Sequence, residues 1–95
     1  DDAPSRYGLT SNVKNSIIAQ GCVINGDVEN CVISKGVYVG EGAKLSNCIV
    51  MQDTKIGCNT NLNYVIIDKD VTIKDGRSLM GYDSYPIYIA KKSVV

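Results

Sequence analysis

The sequence predicts an all-β chain wound into a three-sided column of short parallel strands. Three observations carry that prediction. Val and Ile each occur eleven times against four Leu and four Ala, a balance of β-branched residues that disfavours helix. A 17-residue unit recurs along the chain. Within each unit an aliphatic residue returns after six, six and five positions, a beat that suits a strand and a corner on each of three sides.

The repeat is plainest from Val28, where the chain reads VENCVISKGVYVGEGAK, then LSNCIVMQDTKIGCNTN from Leu45 and LNYVIIDKDVTIKDGRS from Leu62. A shortened copy, VKNSIIAQGCVINGD from Val13, precedes these and loses two residues at its last corner before Val28. After an irregular stretch from Met80 to Pro86, IYIAKKSVV superposes on VYVGEGAKL, the segment Val37 to Leu45. About five coils result. Residues 1–12 read as a linker or amino-terminal cap and 13–95 as the β-helix domain.

Each position in the unit has a physical task. Ile33, Val39, Leu45, Val50, Ile56 and Leu62 are aliphatic leaders that fill the centre of the prism. The small or β-branched residues Val37, Ala43, Thr54 and Thr60 fit its crowded corners, as do Cys31, Cys48 and Val65 on the five-residue side, with Ser16 before them. Stacking at ~4.8 Å makes five coils a column on the order of 24 Å long. Ile18, Ile33, Val50 and Ile67 then form one file, and Ile24, Val39, Ile56 and Ile73 another. Asn15, Asn30 and Asn47 form an amide ladder that Tyr64 ends. Asp1 to Asn12 and the final Val94 and Val95 are the expected caps of the open strand edges.

Composition excludes several function classes. Ten basic and ten acidic residues cancel, and no run of like charge exceeds two, so the electrostatic footprint of a nucleic-acid or anionic-membrane binder is missing. No apolar run exceeds four residues, which leaves neither a membrane-spanning helix nor a signal peptide. Histidine, the usual general base and the commonest metal ligand, is absent. Cys22, Cys31, Cys48 and Cys58 contain no CxxC pair and read as reduced, buried, inert thiols of a cytoplasmic protein. Cys31 and Cys48 fall in one column a coil apart, within reach of a disulfide, with two stacked core thiols as the preferred reading.

Other motifs weaken on inspection. Gly21 to Gly26 has phosphate-loop spacing but is followed by Asp27 and Val28 in place of Lys and Ser or Thr. Gly40 and Gly42 lack the third glycine of a dinucleotide loop and read as corner residues. Asp68, Asp70 and Asp75 alternate with Lys69 and Lys74 and read as a solvated face rather than paired catalytic carboxylates. Lys55, Lys69, Lys74 and Arg77 form the one candidate effector or interface group, because Arg77 takes a corner position that is Ala43 and Thr60 in earlier coils. The preferred reading has Arg77 simply swinging outward where regular winding ends before Met80. Tyr82, Tyr85, Pro86 and Tyr88 cluster at the last turn, either packed over the open end of the prism, the preferred reading, or presented to a partner.

With the coils aligned, VGEGAK, IGCNTN, IDKDVT and IAKKSV fit the hexapeptide pattern, which resembles that of the single-stranded left-handed parallel β-helix (hexapeptide-repeat solenoid). The left hand is implied by this resemblance only, since parallel crossovers are ordinarily right-handed. Family members that use a catalytic His or a three-His zinc site are excluded by composition. The strings NSIIAQGCVING, VENCVISKGVYVGEGA, NCIVMQDTKIG and VIIDKDVTIKDG resemble the carboxyl-terminal β-helix domain of glucose-1-phosphate adenylyltransferase, from Val13 to Val95. LMGYDSYPIYIAKKSVV is more similar to the non-catalytic, regulatory-type subunit.

That resemblance implies a regulatory and subunit-contact domain in bacterial glycogen synthesis. The family's nucleotidyltransferase domain joins ATP and glucose 1-phosphate into ADP-glucose and pyrophosphate, and magnesium is expected only there. No catalytic, cofactor-binding or metal-binding residue carries over to this chain, which reads as an excised, non-enzymatic domain. Its expected partners are the nucleotidyltransferase domain and catalytic subunits in an oligomer, with no nucleic acid and no membrane. Two alternatives stay open: the β-helix of another sugar nucleotidyltransferase, and a free-standing assembly scaffold.

Overall fold

The computed structural model describes residues 3–95, and Asp1 and Asp2 of the expected cap lie outside them. Fifteen short strands and no helix are found among the described residues. They form three five-stranded sheets, one per side of the prism. The first face holds β1 (Arg6–Tyr7), β4 (Val23–Ile24), β7 (Tyr38–Val39), β10 (Lys55–Ile56) and β13 (Thr72–Ile73). The second holds β2 (Asn12–Lys14), β5 (Asp27–Glu29), β8 (Lys44–Ser46), β11 (Asn61–Asn63) and β14 (Ser78–Met80). The third holds β3 (Ile17–Ile18), β6 (Val32–Ile33), β9 (Ile49–Val50), β12 (Val65–Ile67) and β15 (Ile87–Ile89).

Each strand pairs in parallel with its counterpart one coil away, so like stacks on like. Ile18, Ile33, Val50, Ile67 and Ile89 align across the third face. Ile24, Val39, Ile56 and Ile73 align across the first, and Val13, Val28, Leu45, Leu62 and Leu79 across the second. The central members of all three files are fully buried, and each such aliphatic side chain contributes about 1.5–3 kcal/mol relative to exposure. Thr54 and Thr60 are the buried polar residues, and no buried side-chain nitrogen or oxygen lacks a hydrogen-bond partner among the described residues.

Corners turn through left-handed backbone. Asn15, Asn30, Asn47 and Tyr64 occupy one corner column with φ between 49° and 55°. Asn suits this conformation better than most residues with a Cβ. The amide ladder does not stop at Tyr64 but steps sideways: Asn30 Nδ2 donates to Asn47 at 3.4 Å and Asn47 Nδ2 to Asn63 at 3.0 Å. The expected two-residue shortening is seen between β4 and β5, where Asn25 and Gly26 do the work of Gly40 to Ala43. A Cβ on Gly26 would lie 2.5 Å from the Ala43 carbonyl oxygen, so the shortcut requires glycine.

The ends differ from expectation in instructive ways. Within the 1–12 segment Arg6–Tyr7 already pairs with Val23–Ile24, and Ser5 Oγ accepts the Cys22 amide at 3.1 Å. At the other end, Ile87–Ile89 stacks on Val65–Ile67 of the third face, not on the first-face column of Val37–Val39 that its sequence matches. All three faces share one inward-outward phase, so the pattern alone cannot say which face a copy joins; the length of the preceding detour decides it. Val94 and Val95 then return to the first face, where Val95 exchanges backbone hydrogen bonds with Thr72 and Lys74 and packs on the core.

The tyrosines do not cover the open end. Six residues, Gly81 to Pro86, replace the single Tyr64 of the coil below, and Tyr82 and Tyr85 pair with each other as a tight antiparallel turn. This detour leaves from a corner and projects sideways, which leaves Tyr82 72% and Tyr85 80% exposed. Gly81 makes the departure possible, since a Cβ there would meet the Tyr64 carbonyl oxygen at 2.3 Å.

Candidate functional site

The four basic residues picked from the sequence do not converge. Lys55 stands outward on β10, opposite Tyr38 below and Thr72 above. Lys74 lies at the corner beyond β13, and with Lys55, Tyr38, Thr72 and Asp75 it borders one shallow depression on the first face. Arg77 shares the corner column of Thr60, and its carbonyl accepts the Asn61 amide at 2.9 Å, but its side chain is exposed and turned out of the prism. Lys69 sits at the opposite corner of the same face, also exposed. The pairing of Lys55 with Lys74 is the one juxtaposition that the structure makes of this group.

Two of the three acidic residues singled out, Asp68 and Asp75, have structural employment. Asp75 Oδ1 accepts the Cys58 amide at 2.8 Å, tying two coils together at a corner. Asp68 Oδ1 accepts the Lys69 amide at 2.7 Å, and its other oxygen accepts the Tyr88 hydroxyl. The Tyr88 bond, with the Lys69 amide second, holds the Asp68 carboxyl below its ordinary value, and the same bond raises Tyr88. No group of three metal-ligating side chains occurs among the described residues. Gly40 and Gly42 turn a corner between β7 and β8, as expected.

All four thiols are free. Cys22, Cys31 and Cys48 are buried, but Cys58 is only partly so, a departure from the expectation of four buried thiols. It holds the third position of its hexad, IGCNTN, which faces outward beyond the β10 corner. Cys48 N donates to Cys31 Sγ at 3.4 Å, and each thiol donates to a backbone carbonyl, Cys31 to Glu29 at 3.1 Å and Cys48 to Ser46 at 3.2 Å. The neighbouring Cys48 side chain holds Cys31 down to about 7, while the Cys31 side chain and burial push Cys48 up. Both sulfurs face the prism interior, so this polarisation is not offered to any substrate.

Sequence reasoning missed two features. The Asp68–Tyr88 bond spans 20 residues, and the detour that places Tyr88 conceals it from the repeat. The third face also carries an outward aliphatic residue beside each inward leader, at Ile17, Val32, Ile49 and Ile66. The signal was present as the aliphatic doublets Ile17–Ile18, Val32–Ile33, Ile49–Val50 and Ile66–Ile67, which recur on this side of the prism.

A family model described as GlmU-like, C-terminal hexapeptide, matches residues 4–85. The chain is 48% identical over 91 residues to the glycogen biosynthesis protein GlgD of Bacillus subtilis, covering 96% of this chain and 26% of that protein. It is 41% identical over 105 aligned positions to the glucose-1-phosphate adenylyltransferase of Acetivibrio thermocellus, covering 97% and 25%. The corresponding enzyme of Clostridium perfringens strain 13 is 34% identical over 99 positions, with 97% and 25% covered. The chain therefore spans about a quarter of the length of the curated relatives it matches. No helix among the described residues is long and apolar enough to cross a membrane.

Proposed function

The chain belongs to the GlmU-like, C-terminal hexapeptide family and is related to glycogen-biosynthesis proteins, and from that premise we propose that it is the regulatory and subunit-contact domain of a glucose-1-phosphate adenylyltransferase subunit. The observation that carries this reading is the match to GlgD, which takes in 96% of this chain but 26% of GlgD. Chemistry on ATP and glucose 1-phosphate, with its magnesium, then belongs to the remainder of the longer protein. The 95 residues here supply contacts and effector response without catalysis of their own, in the cytoplasm, beside a nucleotidyltransferase domain and catalytic subunits.

The physical character of the column supports that division of labour. Its interior is filled by aliphatic side chains, its depressions are shallow, and Asp68 and Asp75 brace corners. A rigid prism transmits force between neighbours because every coil is hydrogen-bonded to the next.

Deleting these residues from the longer protein tests the reading. The truncated subunit, mixed with its catalytic partner, should lose assembly and effector response together. Retention of both would sink it. Within the domain, Arg77→Ala and a double Lys55→Ala, Lys74→Ala variant separate the two basic groupings: an effector that binds here should weaken with one and not the other, and unchanged affinity with both removes the basic residues from the account.

A further inference from the structure

Asn25 and Gly26 are the one Asn–Gly pair of the chain, and they make the shortened corner between β4 and β5. Asn25 N donates to the Val39 carbonyl at 2.9 Å, Asp27 N to that of Ala43 at 2.8 Å, and the Gly26 carbonyl accepts the Asn12 amide at 3.2 Å. Between these bonds the Gly26 N–H has no backbone acceptor among the described residues. The Asn25 carboxamide stays outside the amide ladder and rests on Gly8, where a Cβ would lie 2.5 Å from its oxygen.

The other asparagines are restrained. Asn30, Asn47 and Asn63 are tied into the ladder, and the amide that follows each is occupied: Cys31 N by Ser16 Oγ at 3.0 Å, Cys48 N by Cys31 Sγ at 3.4 Å and Tyr64 N by the Ser46 carbonyl at 3.2 Å. Asn15 donates to Asn30. Asn12, Asn59 and Asn61 precede Val13, Thr60 and Leu62, whose branched side chains crowd the following nitrogen. Only glycine leaves that nitrogen open to a carbon on the preceding side chain. The strands that stack on this corner, β1 on β4 and β2 on β5, are the edge strands of their sheets. Edge elements open at lower free energy than the interior of a column, so the backbone rotation that ring closure needs is easiest at this end.

We propose that Asn25 and Gly26 are a self-modification site of the folded chain, at which Asn25 is converted to aspartate or isoaspartate with water as the only co-reactant. The Gly26 nitrogen attacks Asn25 Cγ. The new N–Cγ bond replaces the Cγ–Nδ2 bond, and the Gly26 amide proton leaves with Nδ2 as ammonia. Water then opens the cyclic imide. Cleavage at Cγ gives aspartate, and cleavage at the Asn25 backbone carbonyl gives isoaspartate, in which the main chain runs through the side chain. No electron is transferred. The inference stands apart from the regulatory reading above.

The corner makes the two products unequal. Either adds a carboxylate beside Asp27, Glu41 and Lys44, which border the same depression. Isoaspartate also lengthens the backbone by one methylene. A Cβ on Gly26 would lie 2.9 Å from the Gly40 carbonyl oxygen and closer still to that of Ala43, so the added group has no room toward the next coil and the corner opens.

The test incubates the folded 95-residue chain in mildly alkaline buffer, which favours the deprotonated amide, and maps its peptides by mass spectrometry. The acid-for-amide mass difference should build up at Asn25 faster than at the other seven asparagines together, with a matching, more acidic species in ion exchange. Asn25→Gln and Asn25→Ser, each checked for the parental β-sheet spectrum, should not form that species over the same period. Conversion that starts at another asparagine overturns the proposal, as does an Asn25 that stays intact in the folded chain while the urea-unfolded chain converts it. Asn25→Asp carries the charge without the extra backbone atom. Its Asp27 amide should exchange hydrogen as in the parent, and that of the purified isoaspartyl fraction should exchange faster. Equal exchange in all three would show that the corner does not open.

Discussion

The hydroxyl of Thr54 accepts the backbone amide of Val71, the residue one coil later at the same inward corner, at 3.3 Å, and donates to the Asp68 carbonyl at 2.9 Å. The arrangement recurs at three other corners: Ser5 accepts from Cys22, Ser16 from Cys31, and Cys31 from Cys48. Small polar corner residues therefore satisfy amides that strand pairing leaves over. Thr54→Val keeps the volume and removes the acceptor, so it should destabilise the chain by about 1–3 kcal/mol, the cost of an unpaired buried amide. Urea unfolding measures it. Equal midpoints for variant and parent would show that the Val71 amide needs no partner.

Thiol labelling tests the placement of the cysteines. Of Cys22, Cys31, Cys48 and Cys58, only the last reaches the surface in part. Native protein treated briefly with a maleimide should gain one adduct, lost in Cys58→Ser, and unfolded protein should gain four. Fast labelling of Cys31 in the native protein would contradict its burial.

Tyr64 holds a left-handed corner, φ 54°, in a column otherwise made of Asn. Left-handed backbone costs a residue with a Cβ about 1–2 kcal/mol, least for Asn. Tyr64→Asn should raise the melting temperature by about 4–8 °C for each kcal/mol recovered. A lower melting temperature would mean that the ring's contacts outweigh the backbone cost.

The Tyr88–Asp68 bond links stability to pH at both extremes. Asp68 is depressed in the folded chain, so its contribution is present above the ordinary value of 3.8 and is lost as pH falls through the folded value. Tyr88 is raised, so its contribution is present below 10.0 and is lost as pH rises through its folded value. Tyr88→Phe should return the Asp68 carboxyl toward its ordinary range in an NMR titration. An unmoved titration curve would show that the Lys69 amide alone holds it down.

Val39 is fully buried in the middle of the first-face file. Val39→Asp places a carboxylate in the prism with no partner, and the column should fail to fold at neutral pH. Circular dichroism reads this directly, and a cooperative melt at the parental temperature would refute the register of the whole solenoid.

Legibility in the sequence followed the periodicity. The files through Ile33, Val39 and Leu45 were readable because an inward position tolerates few residue types, and a six-residue beat repeats that restriction on every side. The face taken by Ile87–Ile89 was not readable, because three equivalent faces share one phase and the Gly81–Pro86 detour resets the choice. Arg77 swings outward for a related reason: a corner position constrains the backbone, while a long side chain can leave through the surface. The exposed file from Ile17 to Tyr88 was legible in principle, as aliphatic doublets, but attention to inward positions treats the outward member of each doublet as noise.

Six residues standing where one suffices means that the column keeps its register by its faces and not by counting along the chain. Strand pairing resumes at Ile87 on Val65 as though nothing had intervened. A corner of this kind is a splice point: length can be gained or lost there without re-indexing the coils above or below it. A peptide inserted between Tyr82 and Tyr85 would be carried at a fixed height on a stiff spool, which makes this chain a natural mount for foreign loops.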